Sequence, residues 1–180
     1  MKKKELSQID VYIDTVQIIK IDHAKLKNDI FNSLATDQRR SQNKRDYAYH
    51  DFKISFSQPF QWLRDYIEDH FHAQYQKTLI PHDHWGNIYS QHELSPTRHQ
   101  VDPVALKDSP DYTCIYGIEV AKDSCELVIE YDDNRRKNQT WHIPLEENKF
   151  IIFPSTQRYF ISKNKSKPIN VFLTLTYTYK

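Results

Sequence analysis

The sequence predicts an α+β jelly roll, a double-stranded β-helix with two N-terminal helices buttressing one sheet, in a single domain over residues 1–180. Three observations predict it. Apolar spacing is helical in two segments of residues 1–80, the helical N-terminal support, and alternates with period two through the β-rich core of residues 81–180. The closing stretch reads as strand, sharp turn, strand, polar hairpin, strand: Phe150–Phe153 stops at Pro154-Ser155, restarts at Arg158, turns through Ser162–Pro168 and ends in Ile169–Tyr179. No repeat or linker divides the chain, and 180 residues suffice for one sizeable core.

The elements follow in order. Val11–Ile21 is β-rich and reads as an opening strand. Asp22 caps a helix over Ala24–Ala35, with Leu26, Ile30, Phe31 and Leu34 on one face. Thr36–Arg45 is a polar loop carrying Arg39, Arg40, Lys44 and Arg45. Ser57-Gln58-Pro59 opens a second helix, with its buried stripe at Phe60, Leu63, Ile67 and Phe71 and its end set by Pro81. Strands are expected at Trp85–His92, Tyr112–Val120, Glu126–Tyr131, Thr140–Ile143, Lys149–Phe153, Arg158–Ser162 and Ile169–Tyr179, with a hairpin tip at Asp132–Asn138. Ile169–Tyr179 is expected at a sheet edge, where it offers a surface for a second copy and hence a homo-oligomer.

Composition excludes several function classes. Twelve Tyr, nine Phe and three Trp with a net charge of +1 argue against disorder. The balanced charge gives no pull toward nucleic acid or a membrane surface. No apolar run approaches the ~18–20 residues that span a bilayer, and the basic start Met1–Lys4 leads into no apolar signal region. Cys114 and Cys125 are then expected as reduced, buried thiols of a cytoplasmic protein. With two glycines, neither a GxGxxG nor a Walker A loop can be written.

Nine histidines invite a metal. His82 and His84 lie on one side of an extended chain, a spacing that suits a metal and also arises by chance. His70 and His72 point to different faces of the second helix. In the segment Ser95–Pro103, His99 and Asp102 supply an imidazole and a carboxylate. Their spacing is one residue longer than the alternation that puts i and i+2 on one side, so a bulge or turn must fall between them if both face inward. His142, before Pro144, is a further candidate.

Taken in order these segments resemble the 2-oxoglutarate/Fe(II) oxygenases found in many tailed-phage and bacterial genomes. Trp85-Gly86-Asn87-Ile88 is similar to the W-x-N-i opening of that family's sheet. His99–Pro103 falls where its His-x-Asp segment is expected, and Pro144–Ser155 is similar to its P…G…FPS block, with Asn148 in place of Gly. Asn164 matches the Asn five residues beyond the distal histidine. The resemblance implies the jelly-roll (cupin-like) fold, and Fe(II) and 2-oxoglutarate as cofactors if the site is active, none if it is not. It also implies a phage-encoded protein of the host cytoplasm as one source.

The resemblance also marks departures at the functional positions. Tyr159 stands in the place of the distal His ligand. The arginine that clamps the far carboxylate of 2-oxoglutarate falls on Asn170, with Lys167 the nearest cation. His99 and Asp102 are left as the metal ligands. Neutral imidazole suits Fe(II), whereas a phenol must first lose a proton of pKa ~10. Lys167 would offer only a point charge where the arginine gives a bidentate fork. The metal site implied is therefore impaired or altered.

Three readings compete: an oxygenase-like barrel kept as a binding or structural module; an active dioxygenase with altered ligands; and a cupin-like lectin using Trp62, Trp85 or Trp141. The side chains lining the barrel mouth decide between the first two. The substrate is not legible, and nucleic-acid binding would need the two basic loops, Arg39–Arg45 and Arg135–Lys137, on one face.

Overall fold

A computed structural model describes residues 9–17, 21–38, 51–134 and 137–180, with the backbone alone at 34–38, 132–134 and 137–138. Its elements are β1 (Tyr12–Thr15), α1 (His23–Gln38), α2 (Gln58–Tyr75), β2 (Leu79–Tyr89), a 3-10 turn at Leu106–Asp108, β3 (Tyr112–Glu119), β4 (Glu126–Asn134), β5 (Lys137–Pro144), β6 (Lys149–Pro154), β7 (Arg158–Ile161) and β8 (Asn170–Tyr179). The strands form a major sheet in the order β1-β6-β3-β8-β2 and a minor sheet in the order β5-β4-β7. All their pairings are antiparallel. Two sheets with two helices outside the major one is the double-stranded β-helix that the alternation predicts.

Alternation along β8 builds both cores. Val171, Leu173, Leu175 and Tyr177 face the helices, joining Leu26, Ile30, Phe60, Leu63, Ile67 and Phe71 in one cluster. Phe172 faces the other way, into the space between the sheets, with Tyr89, Ile115, Leu127, Ile129, Ile151, Phe153, Tyr159 and Ile161. Asn170–Tyr177 are buried throughout, as expected for a strand covered on both faces. The expected edge position of Ile169–Tyr179 is corrected: β8 is hydrogen-bonded to β2 on one side and β3 on the other, so it offers no free edge to a second copy.

The helices form for the predicted reasons. Asp22 Oδ1 accepts the Lys25 N–H at 2.9 Å and caps α1. α1 packs against β2 so closely that a Cβ on Gly86 would stand 2.5 Å from Ile30 Cγ1. The end of α2 is corrected: the helix stops at Gln76, which turns left-handed (φ 55°) and donates its N–H to His72 O. Pro81 lies inside β2, where the register with β8 breaks between Pro81 and Asp83, a position that tolerates a missing donor.

Other boundaries move as well. Among the described residues of Val11–Ile21 the opening strand covers Tyr12–Thr15, and residues 18–20 lie outside them. β4 and β5 extend to Asn134 and Lys137, so the hairpin tip is shorter than Asp132–Asn138. The basic stretch Arg39–Arg45, together with Arg135 and Arg136, lies outside the described residues. Cys114 belongs to the helix-side core and Cys125 to the inter-sheet core, as separate buried thiols. Burial raises the pKa of each. No described helix is long and apolar enough to cross a membrane.

Candidate functional site

Side chains directly opposite in an antiparallel pair share a face. Trp141 pairs with Ile129, Ile129 with Tyr159, and Tyr159 with Arg98 through an isolated bridge. Ile129 and Tyr159 belong to the inter-sheet core, so this row runs across the inner face of the minor sheet to Arg98. Opposite it, the inner face of the major sheet presents Trp85 and Asn87 on β2 and Thr174 on β8, with Trp85 and Thr174 in register.

Hydrogen bonds join the two sheets at this mouth. Thr174 Oγ1 donates to Asn87 Oδ1 at 2.9 Å. Asn87 Nδ2 donates to Asp51 Oδ1 at 2.9 Å, and the same oxygen receives Arg98 Nη1 at 2.7 Å. Gln100 Nε2 donates to Tyr159 Oη at 2.8 Å. The Tyr159 ring is 1% exposed and meets Phe153 edge-on, centroids 5.0 Å apart. Burial lifts its phenol to a pKa of about 12, more than the nearby Arg98 guanidinium and the Gln100 hydrogen bond lower it. The phenol therefore keeps its proton near neutrality.

The structure places the other sequence-predicted residues elsewhere. His99 is exposed and donates from Nε2 to Thr156 O at 3.2 Å. Asp102 is exposed in a turn, its Oδ1 accepting the Val104 N–H and its own N–H donating to Ser109 Oγ, each at 2.8 Å. Asn170 is buried at the far end of the barrel: Nδ2 donates to Ser124 Oγ, and Oδ1 accepts from the Ala121 N–H. It ties β8 to the β3–β4 turn. Lys167 is exposed in the β7–β8 loop. Between Tyr159 and Asn170 the interior is filled by Tyr89, Ile161 and Phe172.

Among the described residues the remaining histidines do not gather. His142, a further candidate ligand in the sequence, faces outward, where Nδ1 meets Glu126 Oε2 at 3.0 Å; it shares the outer face with its partner Val128. His82 donates to Asp108 O, and His84 packs on Phe56 and Phe60. His70 binds Asp14 at 2.7 Å. Trp62 and Trp141 are exposed on different elements, and Trp85 is buried, so the three tryptophans make no common platform.

The mouth thus offers a guanidinium, two amides, a protonated phenol and a single carboxylate, Asp51, already engaged by Arg98 and Asn87, and no imidazole, near the position that the resemblance gives to iron. That donor set does not fit Fe(II), which takes neutral imidazoles and carboxylates. Among the described residues no group of three or more His, Cys, Asp or Glu side chains is placed to hold a metal ion. Sequence reasoning missed Asp51, Arg98 and Gln100. The signal was present in Arg98-x-Gln100, an i, i+2 pair beside the histidine that drew attention by its residue type.

No family profile matches the chain, and no curated protein is similar to it in sequence. Solved structures do resemble it. A Trichoplax adhaerens prolyl hydroxylase, solved with a hypoxia inducible factor oxygen degradation domain peptide fragment, is similar at a TM-score of 0.63 and 10% identity, over 93% of this chain and 83% of that one. A Pseudomonas putida prolyl-4-hydroxylase aligns at 0.60 and 11%, over 93% and 92%. An oxidoreductase of the 2OG-Fe(II) oxygenase family from Burkholderia pseudomallei aligns at 0.54 and 9%, over 74% of this chain, which spans 65% of that protein's length. Element order, strand pairing and these likenesses agree that the chain has the double-stranded β-helix fold of the 2-oxoglutarate/Fe(II) oxygenases.

Proposed function

We propose that this chain is an oxygenase-fold barrel with an impaired iron site, serving as a binding module rather than an iron enzyme. One observation carries the reading: Tyr159, where the resemblance expects a ligand histidine, is buried, protonated and hydrogen-bonded by Gln100, beside the charged Arg98. A fixed guanidinium next to a ligand position repels a divalent cation, and burial holds the Tyr159 proton in place, so a metal would have to displace it. Arg98 is buried against its charge, but Tyr89 and the Asp51 carboxylate more than offset that cost and hold its pKa above the usual value. The path toward Asn170 is packed with Tyr89, Ile161 and Phe172, which supports the same reading for the co-substrate.

The test is anaerobic titration of the full chain with Fe(II), with and without 2-oxoglutarate. The expected result is no stoichiometric iron and no succinate formed. One equivalent of iron that disappears in His99→Ala and Asp102→Ala, with turnover of 2-oxoglutarate, would sink the proposal and establish a dioxygenase using those two ligands.

A further inference from the structure

We infer that the outer face of α2 binds a linear polyamine, in a groove lined by Trp62, Asp65, Tyr66, Asp69 and His70. This site is separate from the barrel mouth and does not depend on the reading above. The groove has a volume of about 390 Å³, within the range of small-molecule sites. Its lining falls into two rows at helical spacing. Trp62, Tyr66 and His70 follow one another at i, i+4 and form an aromatic row; Asp65 and Asp69, also i and i+4, form a carboxylate row beside it.

The buried stripe Phe60, Leu63, Ile67 and Phe71 fixes α2 on the major sheet and leaves this face to solvent. Trp62 is 47% exposed. Tyr66 is held in place: its ring stacks on His70 at an interplanar angle of 8°, and His70 Nε2 meets Asp14 Oδ2 at 2.7 Å. That carboxylate offsets the imidazole's charge whenever it carries one. Asp69 is exposed and makes no ion pair or hydrogen bond among the described residues. Asp65 accepts from Arg64 Nη2 at 3.1 Å, yet its side chain remains 47% exposed. Arg64 lies outside the lining, its guanidinium 5.5 Å from the Phe56 ring centre and its Nε toward Glu68. Among the described residues no lysine or arginine lines the groove. Its field is therefore negative, and Asp65 and Asp69 already act on the adjoining Glu68, whose pKa they help to raise.

Charge and shape select the ligand. Aromatic faces attract a cation through the ring quadrupole and give an alkyl stem an apolar bed. A bare metal ion would leave the aromatic row unused, and a single ammonium would leave one carboxylate unmatched. A linear polyamine uses both rows, with methylenes on Trp62 and Tyr66 and ammoniums at Asp65 and Asp69. These two carboxylates stand one turn apart, roughly 6 Å along the axis, close to the spacing of two ammoniums across a four-carbon chain. The groove as a whole covers two turns, roughly 12 Å, the reach of a triamine such as spermidine. A protein partner fits less well: a stable interface takes ~20–30 residues a side, and this groove offers five.

The experiment is an NMR titration of the isotope-labelled full chain with spermidine at about 0.15 M salt, where weak surface attraction is screened. The expected result is saturable shifts confined to the α2 amides around Trp62–His70, and no such shifts with 1,8-octanediol, an uncharged rod of similar length. Trp62→Ala and Asp69→Asn should each weaken binding about 3-fold or more. Both positions are exposed, and unchanged amide shifts in the two sheets show that each variant folds. Absence of saturable α2 shifts at roughly 10 mM spermidine would overturn the inference. So would binding that either variant leaves unchanged, equal binding of octanediol, or Mg²⁺ saturating the same amides as tightly as spermidine. Tighter binding of a capped peptide carrying three lysines would also overturn it, and would assign the groove to a protein segment.

Discussion

Glu68 predicts a stability that falls as pH rises. It lies on α2 beside the buried stripe, with its side chain 20% exposed. Burial raises its pKa from 4.5 to about 7, with Asp65 and Asp69 adding to the rise and Arg64 opposing it. Arg64 offsets burial incompletely: its Nε stands 3.4 Å from Glu68 Oε1, yet neither atom makes a hydrogen bond. Between pH 4.5 and 7 the folded carboxyl holds its proton while the unfolded one has lost it. The folded state is therefore favoured in acid, and that advantage drains away through this window. A shift of this size corresponds to at most about 3 kcal/mol, and the solvent-facing part of the side chain reduces it to ~1–2 kcal/mol. The perturbation is Glu68→Gln, which keeps the shape and removes the charge. Urea denaturation at pH 5 and pH 8 reads it. Wild type should lose ~1–2 kcal/mol relative to the variant between those pH values, a midpoint shift of about 0.5–1 M. A difference between the two proteins that stays flat with pH, or moves the other way, would refute the placement of Glu68.

His84 works with the opposite sign. Burial against Phe56 and Phe60 lowers its pKa below 6.5, so the unfolded chain takes up the proton first and stability drops as pH falls below 6.5; His84→Phe should flatten that acid limb in the same denaturation series. Gly86→Ala should cost ~1–3 kcal/mol, because the new methyl group meets three Ile30 carbons within 2.8 Å and α1 must shift. Adding Ile30→Ala to that variant should recover part of the loss, and no recovery would contradict the close approach. Asp22→Ala should lower stability by ~1 kcal/mol through loss of the α1 cap, read by thermal unfolding.

Much of the fold was legible because it is written in local periodicity. The stripe Phe60, Leu63, Ile67, Phe71 identified α2 and its buried face, and the alternation of Val171, Leu173, Leu175 and Tyr177 identified β8. The same local signal misled where tertiary pairing decides. A strand buried on both faces reads like an edge strand in sequence until its neighbours are known, and β8 has two. Pro81 looked like a helix stop, yet Gln76 had already ended the helix by turning left-handed, a conformation that residue type alone seldom announces.

By itself, then, the sequence determined the element types, their order and the two-layer architecture, since each follows from residue type and spacing along the chain. Only the tertiary structure decided which side chains meet at the mouth. Pairing Arg98 with Tyr159 sends Arg98 inward and brings Gln100 to the Tyr159 hydroxyl, while His99 between them is exposed against Thr156. A strand's side chains change face at every residue, so the register of a single bridge settles whether a histidine or an arginine lines the barrel, and register is a long-range property that no local pattern contains.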